Sequence, residues 1–426
     1  MDHIIIEGGY KLKGTVKISG SKNAALPIIA ATLLTNKKIE LNNIPNLVDI
    51  KSMLDLLRSL GVKTKAKRNH SLCSLILDAG RILSTEANYS LVRKMRASFL
   101  VLGPLLAREG RAKVSLPGGC AIGTRPVDLH LDAMKSLGAT IDLRDGYVYA
   151  KAPKNGLVGN KINFNTVSVG ATENAIMASV LAKGETIISN AAREPEIKDL
   201  CNFLNSIGAK IFNIGESRVI IQGVKNLNQT CYSIIPDRIE ACTFIIVAAI
   251  TKSKIIIYDL NLSHISNFLK VMDIMGLKYE KLINKIIVHP TEKLNPIRIK
   301  TEEFPGFSTD MQAQIMTLAC IANGKSEIEE NIFENRFMHV PELNRLGADI
   351  AINGNKALIN GNRSFIGAEV MATDLRASVS LVLAGLEAKG TTKINRIYHL
   401  DRGYESIEHK LSACGAKVSR VNDKIK

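Results

Sequence analysis

Two hydrophobic rhythms run along this chain, and they recur together. Six Ala-rich stretches are apolar nearly all round: "NAALPIIAATLL", "RASFLVLGPLLA", "ENAIMASVLA", "EACTFIIVAAI", "MQAQIMTLACIA" and "RASVSLVLAGLEA". A helix without a polar face predicts burial on every side. After each comes a short strand ("KKIELNNI", "RAKVSLPG", "ETIISNA", "KIIIYDL", "SEIEENI", "TKINRI"), then a loop and an amphipathic helix. That helix ends at a glycine, in "LRSLGVKTK", "MKSLGATID", "LNSIGAKIF", "MDIMGLKYE", "LNRLGADIA" and "LSACGAKVS". A glycine there suits a left-handed helix C′ position, after which the chain leaves as a strand.

The glycines are Gly61, Gly138, Gly208, Gly276, Gly347 and Gly415, separated by 77, 70, 68, 71 and 68 residues, so six units fill the chain. The expected unit is helix, strand, helix, strand, with further strand pairing between units. A fully buried helix needs covering on every side, so one unit cannot fold alone. Three units around a pseudo-threefold axis would bury three such helices in sheets, and six give an α/β protein of two similar lobes. One lobe is expected over 1–21 with 236–426, the other over 22–235. A functional site is expected in a cleft between them that can close.

Composition narrows the class. Of 426 residues, 46% are hydrophobic and 23% charged, the balance of a soluble globular protein. No apolar run approaches the ~18–20 residues needed to cross a bilayer. The N-terminus "MDHIIIEGGYKLKG" lacks a long apolar h-region, so a cytoplasmic location is expected. Seven scattered cysteines, never spaced C-x-x-C, argue against a disulfide framework and a structural zinc site. Eight histidines without an H-E-x-x-H pairing argue against a catalytic metal. The net charge of +16 raises a nucleic-acid reading. The cations are spread along the chain without aromatic interleaving, however, so small anionic substrates held by a few placed cations fit as well.

Polar residues that break the repeat gather at the starts of the apolar helices, where the positive helix end favours anions. Unit one has "SGSKNAALP", with Ser21 or Asn23 as a cap. Lys22 at the same helix start opposes the dipole, a conflict that a bound anion would remove. Units two and six supply Arg96 and Arg376, and unit five supplies Asp310, a cap or, opposite a cluster of cations, a general base. Arg402 precedes the second helix of unit six as Arg125 does in unit two. In "LPGGCAIGTRPVD", Cys120 sits in a glycine-rich loop near Arg125, where cations would lower its pKa and favour the thiolate.

The motifs "SGSKNAALP", "MRAS", "LPGGCAIGTRPVDLH", "SVGATENA", "NAAREPEI", "TDMQAQ", "FENRFMHVPEL", "ATDLRAS" and "RIYHLDRGYE" together resemble the UDP-N-acetylglucosamine 1-carboxyvinyltransferase family of enolpyruvyl transferases. The resemblance implies a two-lobe inverted α/β barrel of six repeats and no cofactor. It implies addition of a sugar 3′-hydroxyl to C2 of phosphoenolpyruvate, a tetrahedral intermediate and loss of phosphate, at the start of peptidoglycan precursor synthesis. Cys120 matches the proton donor to C3, which can form an adduct with phosphoenolpyruvate, and Asp310 matches the base. Lys22, Arg125 and Arg402, with Asn23, match the clamp on phosphate and carboxylate. Arg96, Arg125, Pro126, Val127, Asp128, Leu129, Ser168, Val169, Gly170 and Ile332 match the nucleotide-sugar segments, and Arg376 a further cleft arginine. Thr166 stands where some members carry lysine.

The nearest rival is the related transferase of aromatic biosynthesis, against which the "PGGCAIGTRP" loop and "SVGATENA" weigh. A nucleic-acid-binding protein would predict steep salt dependence and no need for Cys120. An inactive paralogue is disfavoured because every matched catalytic position is filled.

Overall fold

The computed structural model describes residues 2–69, 72–118 and 126–422. Each apolar run forms a helix buried on nearly all sides. They are Lys22–Ala31, Leu102–Glu109, Val169–Ser179, Arg238–Ile250, Gln312–Cys320 and Leu375–Glu387. Two begin with 3-10 turns, Arg96–Val101 and Thr309–Met311. The six repeat glycines all have positive φ, from 77° to 104°. A side chain would be strained in that conformation, so glycine is what lets each amphipathic helix stop there.

The strand count differs from the sequence expectation. Two strands, rather than one, follow each of the first five glycines, as a hairpin. In the first unit Lys63–Asn69 pairs antiparallel with Leu72–Asp78. The second hairpin strand then pairs antiparallel with Lys38–Asn42, the strand that leaves the buried helix. A short fourth strand, Thr230–Ser233, adds parallel to the far edge. All six sheets share this four-stranded plan. The second hairpin strand escapes a pattern search because its period-two signal is short and sits directly beyond a turn. Inward residues such as Ile39, Leu41 and Leu77 are fully buried.

The chain forms two compact bodies, residues 20–118 with 126–235, and residues 2–19 with 236–422. Each has its own apolar core. In the second body the helices Arg238–Ile250, Gln312–Cys320 and Leu375–Glu387 pack against one another. Both chain ends belong to that body for a topological reason. Among the described residues one strand, rather than a hairpin, follows Gly415, and Asp2–Glu7 fills the vacant central place. It pairs antiparallel with Thr391–Asn395 on one side and with Lys417–Asn422 on the other, from Asp2↔Asn422 to Glu7↔Lys417. Lys13–Lys17 likewise supplies the parallel edge strand beside Lys254–Tyr258. Among the described residues no helix is long and apolar enough to cross a membrane.

Candidate active site

In the body of residues 2–19 and 236–422, the 3-10 turn Thr309–Met311 carries Asp310. Asp310 does not cap its own turn; the Ser308 hydroxyl does, accepting the Asp310 N–H at 3.3 Å. The carboxylate is left to the arginines. Arg336 donates to Asp310 Oδ1 at 2.9 Å, and Arg376 Nε lies 3.3 Å from the same oxygen. Both arginine side chains are buried while that of Asp310 is 27% exposed, so the carboxylate remains reachable. Burial pushes the Asp310 carboxyl up, but the charges of Arg376 and Arg336 outweigh it and hold the group well below the usual carboxylate range.

Further partners fix the turn. Gln314 donates its amide to the Asp310 carbonyl at 3.0 Å and reaches the Tyr404 hydroxyl at 3.5 Å. Tyr404, fully buried, shares a 2.9 Å hydrogen bond with Thr243. Arg376 opens its helix under the Asp374 cap, which accepts the N–H groups of Arg376 and Ala377. Arg402 ends the 3-10 helix Ile397–Arg402, half-buried, two residues before Tyr404. Ile332, also half-buried, donates its N–H to Glu330 at 3.0 Å.

In the other body Lys22 is the first residue of its helix, under a Ser21 cap. Its dipole conflict is met within the protein, since Nζ donates to Asp49 Oδ2 at 3.0 Å. This pair is buried, the side chains being 10% and 3% exposed. Asp49 in turn lies in the first turn of helix Val48–Ser59, where a carboxylate is favoured. Asn23 is half-buried beside it. Arg96 donates to the Pro126 carbonyl at 3.1 Å, which joins "MRAS" to the Pro126–Leu129 segment. Asp128 and Leu129 open helix Asp128–Ser136. Ser168 caps helix Val169–Ser179 by accepting from Ala171 N. A side chain at Gly170 would meet the His130 ring at 3.1 Å, so the absence of one lets that helix start lie against the helix of His130. His130 shares a 2.9 Å hydrogen bond with Asn174, and Asn174 donates to the Phe99 carbonyl. Arg96 and Pro126–Leu129 of the second repeat and Ser168–Gly170 of the third thus form one neighbourhood.

The profile of the EPSP synthase (3-phosphoshikimate 1-carboxyvinyltransferase) family matches residues 6–411. The UDP-N-acetylglucosamine 1-carboxyvinyltransferase of Pelagibacter ubique is 55% identical, over 99% of this chain and all of its own. That of Rickettsia felis is 52% identical with the same coverage. The chain belongs to the UDP-N-acetylglucosamine 1-carboxyvinyltransferase family. Among solved structures, the enolpyruvyl transferase NikO of Streptomyces tendae superimposes with a TM-score of 0.89 at 25% identity, over 99% of each chain. EPSP synthase of Acinetobacter baumannii, at 16% identity and a TM-score of 0.77, shares the fold. The fold is therefore the family's inverted α/β barrel of six repeats.

Of the residues that the family resemblance singled out, Cys120 and Arg125 lie outside the described residues. Thr166 is exposed, with its hydroxyl 3.5 Å from Asn165 Oδ1. Sequence reasoning missed Arg336 and Asp49. Arg336 is 26 residues from Asp310, a spacing without local meaning. Asp49 reads as an ordinary acidic residue in a first helical turn, and its pairing with Lys22 arises only when the two helices pack.

Proposed function

We propose that the chain transfers the enolpyruvyl group of phosphoenolpyruvate to the 3′-hydroxyl of UDP-N-acetylglucosamine and releases phosphate, the first committed step of peptidoglycan precursor synthesis. The full-length 55% identity to a relative of that name carries the choice of substrates. Asp310 takes the hydroxyl proton as the oxygen bonds to C2, and Cys120 gives a proton to C3. Loss of a C3 proton and of phosphate from the tetrahedral intermediate then restores the vinyl group. Lys22, Asn23, Arg125 and Arg402 hold the phosphate and carboxylate of phosphoenolpyruvate, so that charge developing in the transition state meets fixed cations. Arg96, Pro126–Leu129, Ser168–Gly170 and Ile332 take the nucleotide sugar, and Thr166 supplies no charged contact to it.

A carboxylate flanked by two guanidinium groups is a weak base. A substrate anion drawing on Arg376 or Arg336 shares their charge and raises Asp310 toward a useful basicity. The same reading puts the reaction in the cytoplasm. The test is phosphate release from phosphoenolpyruvate with UDP-N-acetylglucosamine against shikimate 3-phosphate as acceptor. Turnover with the first is expected; turnover with only the second would overturn the reading.

A further inference from the structure

The residue after the strand that leaves each buried helix leads the chain into the next loop. At four of these six places, Asn43, Asn190, Asp259 and Arg396, it does so in a left-handed conformation, with φ between 56° and 63°. Glu330 holds the place in the fifth unit and does not take that conformation. Its buried carboxylate organises the turn instead. Oε1 accepts from the Thr301 hydroxyl at 2.9 Å and from the Ile332 and Phe333 N–H groups at 3.0 and 3.2 Å. Oε2 accepts from the Thr309 hydroxyl at 2.9 Å. Thr301 in turn accepts the Asn331 N–H at 2.9 Å. One carboxylate therefore ties its own loop, at Ile332 and Phe333, to Thr301 and Thr309, which stand 29 and 21 residues away from Glu330.

Two of those segments carry chemistry. Thr309 is the residue before Asp310, in the same 3-10 turn. The Phe333 ring lies 5.5 Å from the Arg336 guanidinium, and Arg336 holds Asp310 Oδ1. Glu330 thus reaches Asp310 from both sides, through Thr309 and through Phe333 and Arg336, while it also sets the backbone at Ile332. A carboxylate accepting four hydrogen bonds in a buried place is stiff, because moving any one donor leaves a buried acceptor unsatisfied.

We infer that Glu330 is a positioning residue for transfer, setting the Asp310 carboxylate through Thr309 and the nucleotide-sugar contact of Ile332 through the same side chain. This rests on the enolpyruvyl-transfer reading above. Its two branches separate in kinetics. Thr309→Val removes only the Oε2 branch and is expected to lower kcat about tenfold or more, since small misplacements of a reacting group are costly. KM for UDP-N-acetylglucosamine should stay within about twofold, because Ile332 keeps its acceptor. Thr309→Ser should restore kcat to within about twofold. Glu330→Gln, which weakens both branches, should lower kcat and raise that KM together.

A thermal midpoint measured on each variant separates this from simple loss of fold. Wild-type kcat in Thr309→Val, or a Thr309→Ser variant as slow as Thr309→Val, would overturn the inference. Hydrogen exchange of peptides spanning residues 306–314 gives a readout independent of turnover. Faster exchange there in Thr309→Val is expected, and unchanged exchange overturns the bridge. A wild-type protein that releases no phosphate would instead sink the functional reading, leaving exchange to judge the bridge.

Discussion

Removing the Asp49 carboxylate should unfold the body of residues 20–118 and 126–235 at a much lower temperature. The magnitude follows from burial. The Lys22 and Asp49 side chains are 10% and 3% exposed, with Nζ and Oδ2 3.0 Å apart, so Asp49→Ala leaves a buried ammonium without its partner. Breaking such a pair costs about 3–5 kcal/mol. For a body of this size each kcal/mol moves the midpoint by about 2–4 °C, which gives a fall of about 6–20 °C. Differential scanning calorimetry reads it directly. Two controls carry the reasoning. Lys22→Met with Asp49→Ala removes both charges and should be more stable than Asp49→Ala alone. Inorganic phosphate should raise the midpoint of Asp49→Ala more than that of wild type, since an anion can take the vacated place. A midpoint for Asp49→Ala within about 2 °C of wild type would refute the argument, as would a double variant no more stable than that single one.

Other expectations concern protons and the thiol. Arg336→Met removes one of the two cations on Asp310, so its pKa should rise by about 1–3 units. The profile of kcat/KM against pH should then gain an acid limb that wild type lacks; an unchanged profile removes Arg336 from this role. Asp199, on helix Pro195–Ser206, is buried and accepts from the Tyr232 hydroxyl at 2.6 Å. Burial, which outweighs the hydrogen bonds from Tyr232 and from the Ile235 N–H, pushes its carboxyl up to about 6 from an ordinary 3.8. The folded state therefore holds that proton longer than the unfolded chain, and this contribution to stability falls by about 3 kcal/mol as pH rises from about 4 to 6. In Asp199→Asn, urea midpoints at pH 4.5 and 7.5 should lie closer together than in wild type, and an equal separation would refute the assignment. A phosphonate epoxide that mimics phosphoenolpyruvate should alkylate Cys120, seen as a mass adduct there and absent in Cys120→Asp. Unmodified Cys120 would refute a reactive thiol.

The repeat was legible because its signals are local. An all-apolar helix and a glycine with positive φ are consequences of a few neighbouring residues, so all six helices and all six glycine stops stood in the pattern. The second strand of each hairpin, such as Leu72–Asp78, did not, since a strand inside a sheet gets its stability from partners rather than from its own sequence. The filling of the sixth unit by Asp2–Glu7 is likewise a long-range pairing, between strands at opposite ends of the chain. At the candidate site, the charged helix starts at Lys22, Arg96, Asp310 and Arg376 could be read one at a time. Whether each faces a ligand or a protein partner could not. Lys22 meets Asp49, Asp310 meets Arg336 and Arg376, and Thr309 meets Glu330 only after helices and turns from different segments pack. Charges interact through space over a few ångströms, and spacing along the chain says nothing of that distance until the fold has set it.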